Sequence, residues 1–204
     1  MIFKPRRESR KIADKPTLWI PITLSLTILI ASVVIGVLLA DTSELSFTEE
    51  NLNSNERILA FLISAIAVIA LYFITYSVYA LYLYLTVKMF RHFSSYRELL
   101  SLVFFVSIPI SLGELSRGIS PLFTTKENIT SLASYLGSSP ILQGAATPIE
   151  LFNIWSLIIL GFGLRQLTKL NTMYVIFIIT GLVIWDSLTG MGSSYITELF
   201  SGPN

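Results

Sequence analysis

Four ionisable side chains, Glu114, Arg117, Glu150 and Asp186, stand inside or at the edge of long apolar runs. A carboxylate near the middle of a bilayer costs about 2.5–3.5 kcal/mol on insertion scales, so such groups face a protein interior and take partners. Arg117 follows Glu114 by one helical turn and is its nearest counter-ion, whereas Asp186 has no cation on its own apolar run. Together the four could build a polar cavity open to one side of a membrane, fit for an ion, a proton or a lipid headgroup. They have a structural reading too, in which Arg117 neutralises the acids and pins neighbouring spans together. At the level of sequence both readings stand.

Other chemistry finds no support. The chain has no Cys, which removes thiolate metal sites and cysteine nucleophiles, and its single His, His92, argues against a His-based metal site. There is no HExxH, no GxSxG, no facing pair of aspartates and no Gly-rich phosphate loop. We therefore expect no enzyme, no cofactor and no metal. A net charge of +1 gives no global attraction to nucleic acid. Tyr72, Tyr76 and Tyr79 share one helical face at i, i+4 and i+7. That stripe either lines a polar groove or packs between helices with its hydroxyls bonded nearby.

The elements that must position these groups are membrane spans. Mean hydropathy is +0.70, and 53% of residues are hydrophobic against 13% charged, where soluble domains carry about 25% charged residues. Crossing a hydrocarbon core takes roughly 20 apolar residues. Five runs qualify or nearly so: 18–40, 58–87, 99–115, 149–167 and 172–192. The second is too long to stand upright and must tilt or protrude; it holds no Gly, Pro or charge that would fold it into a hairpin. The third is the shortest and contains Pro109, where a kink is expected. The expected fold is an all-α integral membrane protein, one domain over 1–204, built as a five-helix bundle.

Charge orients it. Segments 1–17, 88–98 and 165–171 hold eleven of the fourteen Lys and Arg against three acids, Glu8, Asp14 and Glu98. The positive-inside rule places these segments in the cytoplasm, with the N-terminus inside and the C-terminus outside. In that frame Glu114 and Asp186 each lie about 22 Å from the inner face, in the outer half of the bilayer. The apolar run after "FKPRRESRKIADKP" is too long, and "VLLADTS" too weak a cleavage match, for a cleaved signal, while Glu8 and Asp14 speak against an import sequence. The opening stretch reads as a juxtamembrane helix begun at Pro5 and ended at Pro16. Its Arg6, Arg7, Arg10 and Lys11 could contact anionic lipid headgroups at about 1 kcal/mol each, or act as a topology signal alone.

Local signals mark the connections. Ser95 and Glu98 form a capping-box pattern that starts the third span. Thr124 and Glu127 repeat it before Ile129, Leu132, Ala133 and Leu136, which predicts an interfacial helix at about 125–136. The stretch "GSSPILQGAATP" (137–148) reads as punctuation before the fourth span. Within that span Trp155 suits an interfacial belt, and Gly161 and Gly163 would admit a close neighbour.

Three stretches carry a family resemblance: "FKPRRESRKIADKP", "FSSYRELLSLVFFVSIPI" with Pro109 at the matching proline, and "IELFNIWSLIILGFGLRQL" with Trp155, Ser156, Gly161 and Gly163 on the pattern. In these the chain resembles the bacterial Yip-one (YIP) domain family of multi-pass membrane proteins. The resemblance implies a non-enzymatic protein of the bacterial cytoplasmic membrane, accessory or regulatory to another complex such as an ABC exporter. Eukaryotic relatives bind prenylated small GTPases, but their "DLYGP" signature is missing here and that role is not carried over. The partners expected are the anionic inner leaflet and either another membrane protein or a second copy, with no nucleic acid. The alternative is a small transporter or channel subunit built on Glu114, Arg117, Glu150 and Asp186.

Overall fold

The computed structural model describes residues 18–39, 54–92, 94–119, 131–132, 139–146 and 148–201. They form six helices: α1 (Trp19–Leu39), α2 (Ser54–Met89), α3 (Tyr96–Ile119), α4 (Pro140–Ala146), α5 (Leu151–Thr168) and α6 (Thr172–Ser201). Among the described residues there is no strand, only an isolated bridge between Ser131 and Glu150. Among the described residues four stretches are long and apolar enough to cross a membrane: Ile66–Met89, Tyr96–Ile119, Leu151–Thr168 and Thr172–Ile196. In α1 the apolar stretch so placed, Trp19–Ser32, is shorter.

The turns at one end of the bundle explain where the helices stop. Arg91 adopts a left-handed φ of 59°, and His92 N–H reaches back to Val87 O at 3.2 Å, closing the end of α2. Lys169 does the same for α5 with φ 56° and its N–H on Arg165 O at 3.0 Å. The expected capping box opens α3: Glu98 N–H donates to Ser95 Oγ, Ser95 N–H donates to Glu98 Oε2, and Ser94 Oγ adds a bond to the same carboxylate at 3.0 Å. His92 then ties the α2–α3 turn to the last turn of α5 through Nδ1 and Thr168 O, 2.9 Å apart. A carbonyl only accepts, so Nδ1 carries the proton. Lys88, Arg91, Arg97, Arg165 and Lys169 are consequently gathered at this one end.

α3 is the central helix, packed on α1, α2 and α5. Its buried Ser101, Ser107, Ser111 and Gly113 are small enough to bring those neighbours close, the usual currency of helix association in lipid. Toward the cationic end, Leu83 and Val87 of α2, Leu99 and Leu102 of α3, Leu164 of α5 and Ile178 of α6 fill the core. α1 runs in the same direction as α3: Ser25 meets Ser107 through Tyr72, and Ser32 lies against Gly118. Large apolar side chains such as Ile74, Val78, Ile158, Ile176 and Leu188 point outward. On a soluble protein so continuous an apolar surface would be a liability, but acyl chains accept it.

Two expectations need correction. The fifth apolar run is helical well past 192, to Ser201, since after Gly192 the stretch "SSYITELF" contains neither Gly nor Pro. Residues 137–148 are more than punctuation: Pro140 opens the short α4, whose Gly144 nests on Gly190 and Ser194 of α6. The helix expected at about 125–136 lies outside the described residues except for Ser131, which bridges to Glu150, and Leu132, whose N–H donates to Ile149 O at 3.1 Å. The juxtamembrane helix, with Arg6, Arg7, Arg10 and Lys11, lies outside the described residues.

Candidate functional site

The end of the bundle opposite the five cations holds an ion-paired fork. Arg117, in the last turn of α3, places Nη1 3.2 Å from Glu114 Oε2 and Nη2 3.2 Å from Glu150 Oε2. The first pair is the i, i+3 contact legible in the sequence. The second crosses to the residue that precedes α5, where a carboxylate also complements the positive end of that helix's dipole. Gly113 makes the approach possible: a Cβ there would stand 3.2 Å from Glu150 Oε1 and 3.1 Å from Phe152 Cβ. The Glu150 side chain is 11% exposed, against 40% for Glu114 and 44% for Arg117, so the fork opens toward solvent on the Glu114 side.

Asp186 is elsewhere. Its Oδ1 accepts a hydrogen bond of 2.6 Å from the Tyr79 hydroxyl, joining α6 to α2. The pair borders a cavity of about 60 Å³ between α2, α3, α5 and α6, whose other polar edges are Tyr76, Asn153 and Ser156. That is room for a small number of waters. The four residues grouped from sequence thus fall into a three-membered fork and a separate carboxylate–phenol pair.

The tyrosine stripe combines its two readings. Tyr72 packs edge-on against Tyr76 with centroids 4.7 Å apart, and its hydroxyl links Ser25 of α1 to Ser107 of α3, 3.0 Å away. Tyr76 and Tyr79 border the cavity. Sequence reasoning named Tyr79 and Asp186 separately but did not join them, because within-helix spacing says nothing of which helices meet. Ser25 and Ser107 carried no signal beyond being hydroxyls in apolar runs.

The glycines of α5 serve two neighbours. A Cβ at Gly163 would overlap the Leu102 side chain of α3, while one at Gly161 would stand 3.0 Å from Ile179 Cδ1 of α6. Trp155 packs on the core and against Phe152, with centroids 6.3 Å apart. Among the described residues no three His, Asp or Glu side chains converge as a metal site would need.

A helical, multi-pass membrane protein with a charge-polarised bundle is the class these features define. The Yip1 domain matches residues 1–191, and the chain belongs to that family. It is similar to the membrane protein YknW of Bacillus subtilis (strain 168), with 31% identity over 183 residues covering 81% of this chain and 76% of the relative. No solved structure matches it. A bacterial cell membrane is consistent with this kinship.

Proposed function

We propose that the protein is a non-enzymatic accessory or regulatory subunit, threading the bilayer five times with its N-terminus inside, that works by associating with another membrane complex, such as an ABC exporter, or with lipid. The observation that carries the reading is the ion-paired Arg117 fork: one guanidinium is engaged by two carboxylates from two elements, so the charged groups hold the bundle together. What the bundle offers outward is apolar side chain. The parallel course of α1 and α3 supports the fifth crossing. Affinity purification in mild detergent should return a reproducible membrane partner, and loss of the protein should alter export. A purified chain with no partner and no export phenotype would count against the proposal.

A second reading rests on the Asp186 cavity, which suits a small transporter or channel subunit. Asp186→Asn separates the two, because Asn still accepts from the Tyr79 hydroxyl but carries no charge. Loss of flux in proteoliposomes with thermal stability intact favours transport. Unchanged flux with lowered stability assigns Asp186 to holding α2 and α6 together.

A further inference from the structure

α5 and α6 are joined by a short turn yet splay apart along their outer faces, leaving an open groove of about 350 Å³. Ile154, Ile158, Gly161, Val175, Ile176 and Ile179 line it, and Arg165 with Thr172 stands at its mouth. Gly161 leaves the floor without a side chain. Along α5 the groove runs from Ile154 to Arg165, about 17 Å at 1.5 Å per residue. That is roughly the depth of one leaflet, half of a hydrocarbon core of about 30 Å. The mouth lies at the end of the bundle where the cations collect, and Lys169 N–H closes on Arg165 O in the same turn. No carboxylate among the described residues pairs with Arg165 or Lys169.

We propose that this groove is a binding site for an anionic phospholipid of the cytoplasmic leaflet, one acyl chain lying between α5 and α6 and the phosphate held at Arg165 and Lys169. Shape and charge select this occupant. A helix about 10 Å across and of equal length would need roughly 1,300 Å³, so it would rest on the groove rather than in it. A free phosphate would use the cations and leave the apolar trench unfilled. The site is separate from the Arg117 fork and rests on two parts of the proposed reading, that α5 and α6 span the bilayer and that the turn between them faces the cytoplasm.

The test uses the full chain in neutral detergent, titrated with phosphatidylglycerol or phosphatidylcholine of identical acyl chains, with bound lipid counted by native mass spectrometry. One phosphatidylglycerol should bind in preference to phosphatidylcholine. Arg165→Gln should weaken it about fivefold, the weight of one cation near an anionic surface. Ile158→Trp, at an exposed position, should block the trench and remove binding of both lipids. If Arg165→Gln fails to fold by circular dichroism, Lys169→Asn takes its place with the same expected loss, since Asn tolerates the left-handed turn. Equal binding of the two lipids, or undiminished phosphatidylglycerol binding in the folded variants, overturns the proposal. So does a cross-link through Ile158 to a second copy or a partner helix that phosphatidylglycerol does not compete away. Co-purification of a partner is a separate readout and is unaffected by either result.

Discussion

Arg117 answers to two acids of unequal burial, and that inequality sets what each is worth. Removing the guanidinium leaves Glu150 largely enclosed against Gly113 and Phe152, while Glu114 can still turn to solvent. Arg117→Gln should therefore lower thermal stability in detergent, by about 1–2 kcal/mol for a half-exposed pair. Glu150→Gln should cost more than Glu114→Gln; equal losses would mean that the cross-element bond carries no weight. The Glu114–Arg117 half of this fork was legible in the sequence, since i, i+3 neighbours are fixed by helix geometry alone. The Glu150 half was legible only as similar depth, and Asp186 went to Tyr79 because facing is decided by packing between helices, which a nearly all-apolar run does not encode.

Among the elements, α5 is the one whose placement depends most on missing side chains. Gly163 lets it sit directly on Leu102, and in lipid this closeness substitutes for a hydrophobic driving force. Gly163→Ala should cost about 1–3 kcal/mol by overpacking, with part of the loss regained in combination with Leu102→Ala. Gly192→Ala, on α6 with nothing within 4 Å of the new Cβ, should be neutral or slightly stabilising by helix propensity. Thermal unfolding of the three variants in one detergent compares them. Four of the spans were readable from hydropathy, and the start of α3 from Ser95 and Glu98. The length of α6 and the existence of α4 were not, because each depends on the other: Gly144 docks on Gly190, and neither helix shows that from its own residues.

Taken whole, the molecule is polarised. Lys88, Arg91, Arg97, Arg165 and Lys169 meet at one end, and Glu114, Arg117 and Glu150 at the other. Cysteine-accessibility mapping of the naturally Cys-free chain should label a Cys placed at Asn171 only from the cytoplasm, and one placed at Ile149 only from outside. Labelling of both from one side would dismantle the alternating path of α3, α5 and α6. α1 and α2 add a last consequence. Apart from the hydroxyl bridge at Tyr72, they are joined chiefly through α3, which the ribosome delivers after both. On the proposed five-span path, the nascent protein passes through a stage in which its first two segments lack a shared seam. Arrival of the serine-bearing third segment is the event that commits them to one body.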